Sequence, residues 1–156
     1  KTQRKMKTLF NKSLQLGNTD VALLFIRVSI AVLMLIHGLP KLAKFFSDEP
    51  IAFVSVLGMS QSLSLALAVF AEVFCSILIL VGLGTRFAAI PIIITMAVAA
   101  FYIHAADPFS TKEMAVLYLL GFTFLLITGA GKYSLDNVIA KWYQNPVRSK
   151  GSVFQL

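Results

Sequence analysis

The chain has 156 residues, of which 58% are apolar and 13% charged, against about 45–50% and about 25% in soluble domains. A single domain of this length cannot hide that much apolar surface in its own core, so a soluble globular fold is excluded and a bilayer is the solvent the composition requires. The net charge of +7 does not signal nucleic acid, because the basic residues gather at the two chain ends beside apolar runs and form no stripe between them.

Residues 1–19 read as a basic interfacial segment. Met6, Leu9, Phe10 and Leu14 recur at helical spacing among lysines. This stretch is not a signal peptide: the apolar run behind it is too long and no small-residue cleavage site follows. The membrane domain, 20–131, holds four apolar runs at about 20–41, 62–83, 87–105 and 113–130, each near the roughly 20 residues that cross a hydrocarbon core. Only helices or closed barrels satisfy the backbone there, and runs of this length are helices.

Thr19 or Asp20 can cap the first span, and Gly38 with Pro40 can end it. Ser47-Asp48-Glu49-Pro50 reads as the start of a short interfacial helix with Ile51, Phe53, Val54 and Leu57, stopping at Gly58. Gly82 and Gly84 mark the turn between spans two and three, and Pro91 falls near the first turn of span three. Gly129 and Gly131 close span four. In the last segment, 132–156, Ser134 can cap a short helix with Leu135, Val138, Ile139 and Trp142 on one face, followed by a cytoplasmic tail. The fold class is therefore all-α, an integral membrane four-helix bundle with short interfacial helices.

Lysine and arginine set the expected orientation. Lys1, Arg4, Lys5, Lys7 and Lys12 precede span one, Arg86 lies between spans two and three, and Lys132, Lys141, Arg148 and Lys150 follow span four. The opposite side carries Lys41, Lys44 and Lys112. The positive-inside rule then puts both termini in the cytoplasm. A weak internal echo, Ala-Val followed by Ile36-His37 and again by Ile103-His104, differs in spacing by one residue.

Ionisable residues inside a bilayer are costly and face the bundle interior. Arg27, His37, Lys41, Glu72, His104 and Glu113 are the candidate site residues, the polar cluster of the membrane portion. From helix rise, Arg27 lies roughly 10 Å and Glu72 roughly 16 Å from the cytoplasmic ends of their spans, so an Arg27–Glu72 pair is expected. His37, His104 and Glu113 fall near the outer ends, with Lys41 one turn beyond His37. Around span one, Arg27, Ala31, Met34 and Gly38 share a face. In span two, Ser64, Ala68, Ala71, Glu72, Cys75 and Ser76 form a small and polar face, so Glu72 points into a helix contact. Arg27 and Glu72 read equally well as a structural ion pair or as ligand-binding groups. His104 and Glu113 read as headgroup-level residues or as site residues. Cys75 alone makes no disulfide or zinc cluster and reads as a small buried group. No metal site is expected. The two histidines are possible haem ligands that nothing else in the chain supports, and no P-loop or Rossmann glycine pattern occurs.

The ordered pieces Arg27, His37-Gly38-Leu39-Pro40-Lys41, Gly58, Glu72, Gly82-Leu83-Gly84-Thr85-Arg86, His104, Glu113 and Gly129-Ala130-Gly131-Lys132-Tyr133-Ser134-Leu135-Asp136 resemble the DoxX family of small four-helix membrane proteins. The resemblance runs from about Leu23 to Trp142. It implies a bacterial cytoplasmic (inner) membrane protein, a membrane subunit of an oxidoreductase, with no covalently bound cofactor, a quinone as ligand, and protein partners in a membrane complex beside the lipid bilayer. In this first reading a histidine bonds a quinone carbonyl, Glu72 or Glu113 exchanges protons, and a partner supplies the electrons. A second reading is a structural or assembly subunit without chemistry of its own. A third is a small-solute or lipid transporter acting as a dimer, which lacks the glycine-interrupted midspan helices of a transport site.

Overall fold

The computed structural model describes residues 16–144. The expected interfacial helix around Met6 to Leu14, and Arg148 and Lys150, lie outside the described residues. Within them the chain is all-helical: α1 (Leu16–Phe45), α2 (Gln61–Val81), α3 (Thr85–Ile103), α4 (Phe109–Thr128) and α5 (Leu135–Gln144). The first four are long and apolar enough to cross a membrane, with mean hydropathies of 2.3, 2.5, 2.0 and 1.4.

Span one is longer than expected. Its helix continues through Gly38 and Pro40 to Phe45. Proline removes one N–H and crowds the carbonyl four residues back, but it does not forbid helix on its C-terminal side. The apolar stretch Thr19–Phe45 has 27 residues, or about 40 Å of helix against a hydrocarbon core of about 30 Å. The surplus carries Lys41 and Lys44 on an extra turn at the end of the helix away from Leu16.

Span two is the centre of the bundle. Half of its apolar window is buried, against 11% for span four. The expected small face is the buried one: Ser64, Ala68, Ala71, Glu72, Cys75 and Ser76 are all at most 7% exposed. Opposite it, Arg27, Ala31 and Met34 are buried on α1. Ile79 of α2, Ala88, Ala89, Ile92 and Met96 of α3, and Phe122 and Leu125 of α4 complete one core. Phe25, Phe87, Leu120 and Ile127 face outward, where lipid takes the place of a partner.

Two stretches depart from α-helical winding. Phe70–Cys75 in α2 and Ala99–Ile103 at the end of α3 are π-helical. Such turns insert a residue, shift the faces beyond them and recur at functional sites.

The interfacial helix expected over 47–58 does not form. Residues 50–56 are irregular, and turns flank them. Their backbone is held by side chains from the spans: Lys44 Nζ donates to the Ala52 carbonyl, and the Val56 N–H donates to Ser64 Oγ at 3.2 Å. Those bonds compete with helical winding. The segment ends at Leu57, whose φ of +51° is left-handed, and Gly58. The helix expected after Ser134 does form. The Ser134 hydroxyl accepts the Asn137 N–H at 3.3 Å.

Candidate functional site

The motif His37-Gly38-Leu39-Pro40-Lys41 has a local explanation. A Cβ on Gly38 would lie 2.9 Å from both Glu72 Cβ and Val73 Cγ2, so only glycine lets α1 approach the π turn of α2 this closely. Lys41, one turn further along the same side, then reaches back and donates to Glu72 Oε1 at 2.5 Å. Glu72 is 1% exposed, whereas a quarter of the Lys41 side chain is accessible. Burying a carboxylate costs several kcal/mol unless it is paired, and Lys41 supplies the pairing. The pairing is incomplete. Glu72 Oε2 is buried and has no hydrogen-bond partner among the described residues.

Lys41 and Glu72 line a cleft of about 190 Å³ between α1, α2 and α3. The α2 wall adds Ser64, Leu67 and Ala68, and the α3 wall adds Ile94, Thr95, Val98, Ala99 and Ile103. The irregular segment covers it with Phe53, Val56, Leu57 and Met59. Both π turns contribute, Glu72 from one and Ala99 and Ile103 from the other. The lining is mostly apolar, and the ion pair is its one charged feature.

The other expected site residues lie elsewhere. The Arg27–Glu72 pair does not form. Arg27 sits at the level of Gly82, where a Cβ would collide with its guanidinium. Gly82 is ten residues beyond Glu72, about 15 Å along α2, which is past the reach of the side chain. Arg27 Nη1 donates instead to the Ala130 carbonyl and Nη2 to the Tyr133 carbonyl, both at 2.7 Å. His37 is exposed on α1 with its ring 6.3 Å from that of Tyr118. His104 Nδ1 is 2.7 Å from Asp107 Oδ2, and Glu113 is exposed in the second turn of α4. Of the six candidates, Lys41 and Glu72 are the one pair joined directly among the described residues. The wider outer cluster of His37, His104 and Glu113 is not tied together by any hydrogen bond or ion pair there.

Sequence reasoning missed the residues that hold the opposite end of the bundle. Asp136 accepts the N–H groups of Gly84 at 2.8 Å and Thr85 at 3.4 Å, capping α3 from across the chain. Its own N–H donates to the Gly82 carbonyl at 3.0 Å. A wide groove of about 460 Å³ lies beside this knot, lined by Arg86, Thr128, Gly129, Asp136 and Asn137 among others. It is larger than the Lys41–Glu72 cleft, and several of its polar side chains are engaged with backbone carbonyls. The Arg86 guanidinium donates to Ile127, Thr128 to Phe124 and Asn137 to Lys132. The smaller cleft differs in having a buried carboxylate oxygen in its lining, Glu72 Oε2, with no partner among the described residues.

Comparison with known proteins adds the lineage. A family profile named DoxX matches residues 22–105, more than half of the chain. The chain belongs to the DoxX family. A protein of Haemophilus influenzae is 34% identical over 126 residues, covering 76% of this chain and 91% of that protein, and is named as uncharacterized. A second protein of the same organism, named likewise, is 33% identical over 76 residues, 46% of this chain and 50% of that protein. No solved structure matches. In this DoxX protein the matched stretch contains Gly38, Lys41, Glu72 and both π turns, so every residue lining the cleft lies inside the matched region. Glu113 and the Asp136 cap lie outside it.

Proposed function

We propose that this DoxX protein is an accessory membrane subunit that holds the headgroup of a quinone-type redox lipid at the Lys41–Glu72 cleft, beside a partner protein that carries the electron centre. The observation that carries this reading is a buried, half-satisfied carboxylate paired with an ammonium in an otherwise apolar cleft. Intramembrane ionisable groups of this kind mark ligand and proton sites.

The residues fit such a headgroup. Lys41 Nζ has three N–H groups and spends one on Glu72, which leaves donors for a ring oxygen. Glu72 Oε2 is an acceptor and a place to hold a proton. The apolar walls suit a ring. Sites for whole drug-sized ligands run to about 300–1,000 Å³, so about 190 Å³ takes a headgroup and leaves an isoprenoid tail among the lipids. A bound quinone would supply two-electron redox chemistry. The chain's part is to position the ring through Lys41, keep water from it with Phe53, Val56 and Leu57, and hold or release a proton at Glu72.

The same reading places the protein in the bacterial inner membrane with both termini cytoplasmic. The test is isolation of the tagged protein from its native membrane in mild detergent, with mass spectrometry of the proteins and lipids that accompany it. Stoichiometric recovery of a flavin, haem or iron–sulfur protein together with quinone is the expected result. Recovery of the chain without either sinks the reading.

One observation favours a second reading, a structural or assembly subunit. Gly38 packs so tightly against Glu72 that the Lys41–Glu72 pair also serves to fix α1 on α2. Glu72→Gln separates the two. Loss of complex assembly with normal turnover in whatever complex remains supports the structural subunit, and intact assembly with lost quinone supports the site.

A further inference from the structure

Glu72 presents an acceptor that the protein does not satisfy. Oε1 takes the Lys41 ammonium at 2.5 Å, while Oε2, on a side chain 1% exposed, has no partner among the described residues. Leaving a buried charged acceptor without a donor is more costly than leaving a neutral one. The other polar side chains on the cleft wall do not answer it. Thr95 donates its hydroxyl to the Pro91 carbonyl at 2.9 Å, and Ser64 Oγ is occupied by the Val56 N–H.

A ligand that completes this site must therefore bring a donor. A quinone carbonyl has lone pairs only. It can take a hydrogen bond from Lys41, but toward Oε2 it sets oxygen against carboxylate. A hydroquinone hydroxyl does both things at once. Its O–H donates to Oε2, and its oxygen accepts from an unused N–H of Lys41. Nζ already bonds the other oxygen of the same carboxylate, so a hydroxyl entering beside the pair can bridge Nζ and Oε2. An O–H···O⁻ bond of this kind belongs to the strong class. Sites built to bond a hydroxyl reject analogues lacking it far more strongly than sites that only enclose it. We infer that the cleft is built for the reduced, hydroxyl-bearing form of its lipid and selects a hydroquinone headgroup over the corresponding quinone. This rests on the redox-lipid reading above, and it adds which oxidation state the protein holds.

The experiment is titration calorimetry on the full-length protein in lipid nanodiscs under anaerobic conditions. The probes are a short-chain hydroquinone, its quinone, and the dimethyl ether of the hydroquinone, which keeps the ring and removes both donors. The hydroquinone is expected to bind about ten- to a hundredfold more tightly than the quinone, the range for one hydrogen bond to a charged group. The dimethyl ether should bind as weakly as the quinone. In Glu72→Gln the carboxamide offers a donor as well as an acceptor, so the gap between hydroquinone and quinone should close to a few-fold.

Equal or tighter binding of the quinone overturns the inference and leaves the redox-lipid site standing. A preference that survives Glu72→Gln unchanged also overturns it, because Glu72 is then not its source. Binding of none of the three probes removes the redox-lipid reading and this one together. If Glu72→Gln does not fold, the comparison of hydroquinone with its dimethyl ether on the unaltered protein decides: equal affinities overturn the inference, and a tenfold or larger difference supports it.

Discussion

Lys41 and Glu72 carry opposite charges into a place where neither would stay alone. Removing one partner of a buried pair costs about 3–5 kcal/mol, because the other is left charged and unpaired. Lys41 keeps a quarter of its side chain accessible, so solvent screens part of that loss. Lys41→Ala is therefore expected to destabilise the protein by about 2–4 kcal/mol. The double variant Lys41→Met with Glu72→Met should recover most of it, since an apolar pair of similar volume is often neutral. Thermal unfolding of the purified protein in one detergent reads the order: wild type and double variant close together, the single variant well below. Gly38→Ala acts on the same contact by volume. Its Cβ would meet Glu72 Cβ and Val73 Cγ2 at 2.9 Å, and overpacking of that kind costs about 1–3 kcal/mol. A Gly38→Ala protein as stable as wild type would mean that α1 is free to move away from α2.

At the scale of the element, the periodicity of each span was readable because lipid and core ask different things of its two sides. The face Arg27, Ala31, Met34 and Gly38 on α1, and the face from Ser64 to Ser76 on α2, are the buried ones. What periodicity could not give was register between helices. Arg27 and Glu72 face the same interior, yet they sit about 15 Å apart along the axis, and each found a different partner. The π turns were equally hidden, because nothing in Phe70–Cys75 or Ala99–Ile103 marks an inserted residue. Segment 47–58 has a helix-start signature, but tertiary bonds from Lys44 and Ser64 outweigh it. The knot at the other end follows from the same lesson. Arg27 joins α1 to the Ala130–Tyr133 loop, and Asp136 joins that loop's far side to the start of α3. Arg27→Leu removes two charged hydrogen bonds, each about 1.5–3 kcal/mol, while Asp136→Ala removes a cap of about 1 kcal/mol. Arg27→Leu is expected to lower the unfolding temperature clearly more than Asp136→Ala, and the reverse order would mean that the cap, and not the arginine, fastens the loop.

For the whole molecule, the asymmetry between the two ends of the bundle is an argument about orientation. The Arg27 and Asp136 end is held by backbone bonds and side-chain caps and lies on the side of both described chain ends. The Lys41 end carries the cleft and its irregular cover. Four spans return the chain to the side it started from, whatever that side is. The choice between the two sides then rests on lysine and arginine in the short flanks, which favour the cytoplasm for the Asp136 end. Reporter fusions test this directly. A cytoplasm-active reporter joined after Trp142 should be active, and one placed between Phe46 and Pro50 should be silent, while a reporter active only outside the cytoplasm gives the opposite pattern. The outcome also fixes where the proton at Glu72 would exchange. With the Asp136 end inside, the cleft lies nearer the outer face, and protons released there leave on the far side of the membrane from the cytoplasm. The inverted pattern would move the cleft to the cytoplasmic half, and any partner delivering electrons to it would have to be sought on that side.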